Sequence, residues 1–458
     1  MTVAREGAEN VGDPQPLSSY PDESAGVPIV ADLDDGTVAP RSGSRSRAVW
    51  SVADQVVSSV TNAVLSFLVA RSVSASAFGA FAVAFTLYSL FVGFNRSTTT
   101  APLGIRYSDA EDDAFRPAAI AATGSSLALG LVGGLGLVVA GLFLNGSLRA
   151  SMLAMGSVLP GLLAQDSWRY VFFAKGRPIS STANDGVWAM AQLMAVGWML
   201  ASGVQTAAPL ILAWGGSATV AAAFGLFQTK ITPDPRRALT WTRQHKDLAR
   251  YMSAEYVTVQ GSAQAALLLI GGIGGIGVVG SLRAAQVILG PTTILAVGMI
   301  SYAVPEFSRR RELSAPGRLR TASALSAFVV LAGLAWATVM LLLPESIGRS
   351  LLGDTWSGAH GVLVGSIVFQ AGSAMSLGPA AMLYALGRAR STFAVHAVLA
   401  PLIIICSVTG VYLAGAPGAA WGQAFAAWAV VPVWFLRLRS GVRAGFPESA
   451  DMIGKETT

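Results

Sequence analysis

The sequence predicts an all-α polytopic membrane protein with about twelve transmembrane helices in two repeated six-helix lobes. Hydrophobic residues make up 53% of the 458 residues and charged residues only 12%, and the mean hydropathy is +0.56, as is typical of membrane proteins. Residues 186–229 and 391–436 contain no Asp, Glu, Lys or Arg, and each run is long enough for two spans of about 20 residues. An internal repeat supports the two-lobe arrangement.

The repeat aligns residues 48–85 with residues 249–286. Few residues are identical, but each copy carries one acid at the same place early in an otherwise apolar helix, Asp54 in the first and Glu255 in the second. A carboxylate inside a spanning helix costs roughly 2.5–3.5 kcal/mol of insertion free energy, so its repetition indicates a use. Repeated halves with polar groups at their junction are typical of secondary transporters.

The apolar runs set the order of segments along the chain. The predicted spans are 48–70, 78–95, 117–144, 150–172, 179–202, 206–228, 249–271, 277–304, 321–343, 358–385, 391–414 and 417–436. The predicted domains are an acidic, disordered tail at 1–44, an N-lobe at 45–229, a basic linker at 230–248, a C-lobe at 249–438 and a second tail at 439–458. Pro291, Pro305, Pro379 and Pro401, in or beside spans, are hinge candidates.

The basic residues predict the orientation of the chain. Of the 31 Lys and Arg residues, most fall in connections that would share one side of the membrane, and only Arg71, Arg149 and Arg349 fall in connections on the other side. Cytoplasmic loops are enriched in Lys and Arg. We therefore predict a multi-pass protein of the plasma (inner, cytoplasmic) membrane with both termini in the cytoplasm, and we interpret the net charge of +6 as an orientation signal, with no nucleic-acid partner.

The sequence offers no recognisable metal or cofactor motif. The single cysteine, Cys406, lies in an apolar run, and the three histidines are scattered. No HExxH, paired-cysteine or P-loop spacing occurs, so we expect no metal site, no cofactor and no ATP hydrolysis by the P-loop route. Coupling to a proton or sodium gradient stays open.

Polar stripes mark the first and seventh predicted spans. Asp54 and Asn62 belong to the first stripe, and Glu255 begins the second. Such a stripe faces a cavity or a neighbouring helix, because lipid cannot form hydrogen bonds with its polar side chains. Asp54 and Glu255 are candidates for coupling or gating, and Asn62 for substrate binding. The alternative is hydrogen bonding between helices, worth about 0.6 kcal/mol a contact.

Arg283 is a cation well inside the eighth predicted span, close to Gln286. Its guanidinium could bind a phosphate through two parallel hydrogen bonds, which makes both residues candidates for binding an anionic substrate. Pairing of Arg283 with Glu255 or another acid is the equal alternative.

A third set of candidates lies where the fourth span leads into the fifth. Asp166 and Arg169 are one helical turn apart, and Asp185 opens the next span. We favour a local Asp166–Arg169 salt bridge at a cytoplasmic gate, since i,i+3 spacing permits it. Contact with a substrate headgroup is the alternative. Asp166 and Asp185 are gating candidates.

Several motifs along the chain form a recognisable set. They are Trp50-Ser51-x-x-Asp54-Gln55, Leu68-Val69-Ala70-Arg71 followed by Phe78-Gly79-x-Phe81, Asp166-x-x-Arg169, Gly176-Arg177-Pro178, and Gly280-x-x-Arg283-Ala284-Ala285-Gln286. This set resembles the motifs of the MOP exporter superfamily, and most closely those of its polysaccharide-transporter branch, the Wzx-type flippases of O-antigen and exopolysaccharide repeat units. The resemblance covers nearly everything from residue 48 to residue 438.

The resemblance implies two six-helix bundles that form a V and open alternately to either side. The cargo would be a polyprenyl-pyrophosphate oligosaccharide, moved for cell-surface polysaccharide biosynthesis (lipopolysaccharide or exopolysaccharide). Arg283, Arg169 and Arg96 would be headgroup candidates, and Asp54 and Glu255 coupling candidates. Partners would be the lipid bilayer, the lipid-linked oligosaccharide and polysaccharide polymerase or chain-length machinery.

Two other classes compete with this interpretation. A MATE-type multidrug/cation antiporter would use Asp54 and Glu255 for a cationic drug. A membrane polysaccharide polymerase or ligase would need a catalytic outer loop rich in charged residues, and the largest outer connection, residues 344–359, offers few. We therefore expect a transporter and not an enzyme.

Overall fold

The computed structural model describes residues 64–108, 110–310 and 312–444, and the side chains of a few further residues within these ranges, Glu255 among them, are not described. All the regular structure in these ranges is helical. The two predicted tails, most of the first predicted span and the candidates Asp54 and Asn62 lie outside the described residues.

The first half of the described chain is a series of long helices joined by short turns. Residues 64–72 are helical and end the first predicted span. The following helices are α1 (Ala75–Tyr107), α2 (Asp112–Leu142), α3 (Gly146–Ala174), α4 (Pro178–Ala201) and α5 (Ala207–Thr229). A π-helical turn at Arg96–Thr100 interrupts α1.

A connection with two short helical segments leads to the second half. Pro235–Arg237 and Ala238–Gln244 form this connection. The following helices are α6 (Lys246–Tyr256), α7 (Ser262–Gly274), α8 (Ile276–Ile288), α9 (Gly290–Arg309), α10 (Ala315–Leu341), α11 (Glu345–Leu352), α12 (Thr355–Ala385) and α13 (Ala389–Ala444). A π-helical turn at Val257–Gly261 joins α6 to α7.

By length and composition, seven of these helices could cross a membrane, or eight if the bent pair α8–α9 is one span. The other predicted spans also fall on helices. The non-helical dihedrals of Ala414 and Gly415 divide α13 into the eleventh and twelfth spans, which pack back on each other where Gly410 meets Gly418. Helices occupy every predicted span within the described residues, which confirms the all-α polytopic fold.

Sequence signals explain where several helices begin and end. Ser74 accepts a hydrogen bond from the Ala77 N–H at the start of α1, and Ser314 caps α10 in the same way, as expected for serine at this position. A Gly-Arg step ends both α3 and α12. Gly176 (φ 63°) and Gly387 (φ 68°) adopt left-handed dihedrals, and the following Arg N–H bonds back to a helical carbonyl at 2.9 Å or less. The same turn therefore recurs in both halves.

Helix packing within each half relies on close approach at small residues. In the first half a Cβ at Gly130 would lie 2.6 Å from Pro160 Cα, so α2 and α3 are in backbone contact. In the second half a Cβ at Gly365 of α12 would lie 2.8 Å from Ala420 Cβ of α13. Small residues are the usual basis of helix association in membranes, where burial of apolar surface gives no driving force.

The two halves meet along α1 and α8. A Cβ at Gly79 would overlap the carbonyl oxygen of Ile276, and one at Gly280 would lie 3.0 Å from the Ala75 carbonyl oxygen. Nearby, Thr355 Oγ1 donates to the Ala70 carbonyl at 3.1 Å. We call this end of the bundle the far end. The opposite end, where the connection 230–245 lies, is the linker end.

Candidate functional site

Two ion pairs lie inside the first half. At the first, Arg96 binds Asp166 with two nitrogens, Nε at 3.1–3.2 Å from both carboxylate oxygens and Nη2 at 2.6 Å from Oδ1. The Asp166 side chain is 5% exposed, whereas that of Arg96 is 40% exposed. Arg96 begins the π-helical turn of α1, where Ser97 and Thr99 bond back to carbonyls four residues earlier. Such turns frequently occur at functional sites.

The second pair joins α3 to α4. Arg169 Nε lies 3.2 Å from Asp185 Oδ2, with side chains 8% and 2% exposed. Gln165 Nε2 donates to Asp185 Oδ1 at 2.7 Å. Asn184 extends the network, since its Nδ2 donates to the Ala221 carbonyl at 2.9 Å. Both charges are thus held in a hydrogen-bonded core, which is the condition for burying charge without a large penalty.

These partners correct the local salt bridge that the sequence favoured. Asp166 and Arg169 do not pair with each other within α3. Asp166 pairs with Arg96 of α1, and Arg169 pairs with Asp185 of α4. A turn of helix separates the two α3 side chains by about 60° around the helix axis, so each finds a better oriented partner on a neighbouring helix. Two of the three proposed headgroup arginines therefore engage carboxylates.

Arg283 lies on α8 where the two halves face each other. Its Nη1 donates to Gln286 Oε1 at 3.1 Å, and its Cζ lies 4.8 Å from the centroid of the Phe85 ring on α1. The buried Nε makes no hydrogen bond to any described residue. Within the described part of the chain no carboxylate forms an ion pair with Arg283. Pairing with Glu255 stays a prediction, because the side chain of Glu255 is not described.

An aromatic cluster from the first half lies beside Arg283. Phe85 contacts Tyr88 and Trp214, with ring centroids 5.5 and 5.6 Å apart, and Tyr88 meets Trp214 edge-on at 4.9 Å. Trp188 joins the cluster from α4. Arg283 is thus set against the edge of an aromatic cluster.

The eighth predicted span is broken near its middle, as its proline suggested. α8 and α9 meet at an angle of 60° around Leu289, Gly290 and Pro291. Trp336 Nε1 donates to the Ile288 carbonyl at 2.9 Å, and Thr292 Oγ1 donates to the Leu289 carbonyl at 2.6 Å. These bonds satisfy carbonyls at the break, as a membrane-embedded backbone requires.

A polar cluster beside this break was missed from the sequence. Gln370 Nε2 of α12 donates to the hydroxyl oxygens of Thr292 and Thr293, the latter at 3.0 Å. The sequence signals that could have indicated it were a glutamine in the uncharged tenth predicted span and a Gly-Pro-Thr-Thr step in the eighth. The cluster lies beyond Gln286 along the chain and is partly exposed.

At the linker end the connection contacts the first half. Arg106 of α1 pairs with Asp247 of α6, and Tyr256 donates to the Ser89 carbonyl at 2.9 Å. His245 stacks on Trp241 with centroids 3.9 Å apart. Burial lowers the pKa of His245 below its usual value, so the neutral imidazole fits this contact.

The remaining candidates are less fully described. Glu255 lies on α6, one residue before Tyr256, but its side chain is not described. Among the described residues no group of three or more His, Cys, Asp or Glu side chains is arranged to hold a metal ion. Asp54 and Asn62 stay sequence-based predictions.

Comparisons with solved structures identify the fold. A multidrug resistance MATE-family transporter of the MOP superfamily, in an inward-facing conformation, is similar with a TM-score of 0.65 and 13% identity, over 84% of this chain and 94% of that one. The lipid II flippase MurJ, in an inward closed conformation, is similar with a TM-score of 0.63 and 12% identity, over 88% and 89% of the two chains. The chain has the fold of MOP-superfamily transporters.

An outward-facing MATE-family structure is also similar, with a TM-score of 0.55 and 14% identity, over 89% of this chain and 97% of that one. No protein-family profile matches the sequence, and no curated protein sequence matches it. The likeness therefore resides in the fold and not in the sequence.

Proposed function

We propose that this protein is a flippase that moves a lipid-linked oligosaccharide, a polyprenyl-pyrophosphate repeat unit, from the cytoplasmic to the outer face of the membrane. The observation that carries the proposal is Arg283, a mid-span cation at the junction of the halves with no described carboxylate partner. A charged residue at this depth is costly and is kept for a use. The planar guanidinium of arginine can donate two parallel hydrogen bonds to the oxygens of a phosphate.

The charges of the first half support an anionic cargo. Asp166 and Asp185 are each neutralised by an arginine, so neither presents a free carboxylate to a cation. Arg96 is 40% exposed even though it binds Asp166, and we propose it as a second contact for the headgroup. Arg169 is buried with its acid, and we propose that this pair positions α3 against α4.

Fold likeness and packing support transport by alternating access. Solved structures with this fold include inward-facing and outward-facing conformations. In this chain the halves meet at the far end through Gly79, Gly280 and backbone atoms, and none of the ion pairs found among the described residues lies in that contact. Such a contact can separate and re-form at low cost as the halves rock. The sugar headgroup would pass between the halves while the polyprenyl tail stays in lipid.

The setting follows from the same proposal. The linker end, where most basic connections lie, would face the cytoplasm, in the plasma membrane of a cell that assembles surface polysaccharide. Polysaccharide polymerase and chain-length machinery would consume the translocated lipid. Asp54 and Glu255 remain the proposed coupling residues, with a proton or sodium ion.

A MATE-type multidrug antiporter is the second candidate, favoured by the fold likeness to multidrug transporters. A cationic drug needs an accessible carboxylate inside the membrane, and Asp166 and Asp185, the two buried carboxylates among the described residues of the first half, are each paired with an arginine. An enzyme is disfavoured, because Glu345 and Arg349, charged residues of the largest far-end connection, pair with each other on α11.

The test is deletion of the gene followed by measurement of lipid-linked oligosaccharide on the inner face of the membrane. Accumulation relieved by the intact gene and by Arg283→Lys in part, but not by Arg283→Ala, is expected. Arg349→Ala is the matched control, since this exposed arginine lies at the far end and should restore transport fully. No accumulation, together with altered tolerance to cationic drugs, would replace the flippase by the antiporter.

A further inference from the structure

We infer that Gln370 and Thr293 form a subsite for an uncharged sugar of the cargo, next to the phosphate site at Arg283. This inference rests on the proposed function and specifies which part of the cargo the second half recognises. The sugar would meet an amide oxygen as acceptor and a hydroxyl as donor, the two groups needed for its own hydroxyl or acetamido groups.

The first argument is depth. α12 has 31 residues, and Gln370 is its central residue, about 22 Å along the helix from either end. Thr293 lies at the same level, because Gln370 bonds it directly. Polar side chains at mid-membrane depth face a cavity or the protein interior, and Thr293 is exposed. The exposed side of this cluster is therefore expected to face the space between the halves.

The second argument is hydrogen-bonding capacity. Gln370 uses its Nε2 to bind Thr292 and Thr293. The Thr292 hydroxyl is already committed to the Leu289 carbonyl. Neither Gln370 Oε1 nor the Thr293 hydroxyl proton has a partner among the described residues. The amide nitrogen of Gln370 thus holds the two side chains together. The amide oxygen of Gln370 remains as an acceptor beside the hydroxyl of Thr293, which remains as a donor.

The third argument is charge. The four stretches 262–304, 321–341, 355–385 and 391–436, which make up most of the second half, contain a single Asp, Glu, Lys or Arg, and it is Arg283. An acidic sugar would need a further cation, and an amino sugar with a free amine would need a carboxylate. The second half offers neither at this depth, so its chemistry suits one phosphate group and uncharged sugar.

The geometry of the broken span places the two subsites in sequence. Gln286 binds Arg283 one turn before the break, and Thr293 follows the break on α9. The 60° bend turns the second segment away from the axis of the first, and Thr293 bonds Gln370 directly after this bend. Binding sites at discontinuous helices are a common feature of secondary transporters.

The experiment measures binding by native mass spectrometry of the full chain in detergent. The probes are a short-chain polyprenyl pyrophosphate carrying a neutral trisaccharide and the same lipid without sugar. Thr293→Val keeps the size of the side chain and removes the hydroxyl. It should weaken binding of the glycosylated probe about threefold to tenfold, the effect of one hydrogen bond, and leave the sugar-free probe unchanged.

Three further variants complete the test. Thr293→Ser keeps the hydroxyl and should bind like the original protein, Thr338→Val changes an exposed threonine elsewhere and should have no effect, and Arg283→Gln should weaken both probes. Equal affinities of Thr293→Val and the original protein for the glycosylated probe would overturn the subsite and leave the flippase standing. If the original protein binds neither probe, the flippase and the subsite fall together.

Discussion

Breaking the Arg169–Asp185 pair should be among the most destabilising single changes in the first half. The two side chains are 8% and 2% exposed and their nearest charged atoms are 3.2 Å apart. At an effective dielectric constant of about 20, two unit charges about 4 Å apart attract by roughly 4 kcal/mol. Removing one partner leaves the other buried and unpaired, at a cost of about 3–5 kcal/mol. Arg169→Met should lower the free energy of unfolding by that amount.

The assay is equilibrium unfolding in mixed micelles, followed by circular dichroism. In the original protein Gln165 Nε2 donates a hydrogen bond to Asp185 Oδ1, and an asparagine at position 185 would still offer an oxygen to it. The double variant Arg169→Met/Asp185→Asn therefore removes both charges and retains this hydrogen bond. It should recover part of the loss, with a coupling energy of about 2–3 kcal/mol. The matched control is Arg349→Met, which breaks an exposed pair with Glu345 and should cost at most about 0.5 kcal/mol.

The reasoning is refuted if Arg169→Met costs no more than Arg349→Met, or if the coupling energy is below about 0.5 kcal/mol, the level of independent sites. Transport by the double variant separates two roles for Asp185. If the pair only positions α3 against α4, the double variant should transport. If Asp185 couples an ion, a stable double variant should not.

Three further predictions concern the far end, the linker end and the orientation. Gly79→Ala should lower the free energy of unfolding by about 1–3 kcal/mol, because the new methyl group would overlap the Ile276 backbone. Gly277→Ala should change the free energy of unfolding little, because the space around Gly277 is open. Burial lowers the pKa of His245 in the folded protein, so as the pH falls the unfolded chain protonates this histidine before the folded protein does. The contribution of neutral His245 to the free energy of unfolding should be complete above about pH 6.5 and should decrease as the pH drops below that value. In a background without the native cysteine, a membrane-impermeant thiol reagent should label Arg349→Cys in intact cells and Arg236→Cys only after lysis.

Each of these has a contradicting outcome. Equal stabilities of the two glycine variants would mean that the halves do not touch at the far end as described. A pH profile unchanged by His245→Gln would remove the histidine as its cause. Labelling of the cysteine at position 236 in intact cells would reverse the orientation that the basic residues predict.

Much of the fold could be predicted from the sequence, because a helix in a membrane satisfies the hydrogen bonds of its own backbone and appears in the sequence as an uninterrupted apolar run. The described helices lie where those runs predicted them. Of the four hinge candidates, Pro291 lies at a break, since proline removes a backbone donor, whereas Pro305, Pro379 and Pro401 lie within helices. The Gly-Arg steps after α3 and α12 form the same left-handed turn in both halves.

Only the tertiary structure decided which polar groups meet. Asp166 pairs with an arginine 70 residues away, not with its neighbour in α3, and Gln370 bonds a threonine 77 residues away. Helical periodicity fixes which residues share a face of one helix, but the partner of that face depends on how helices cross and how closely small residues let them approach. The sequence therefore named most of the charged residues of the candidate site, and their packing determined that Arg96 and Arg169 pair with carboxylates, whereas Arg283 has no carboxylate partner among the described side chains.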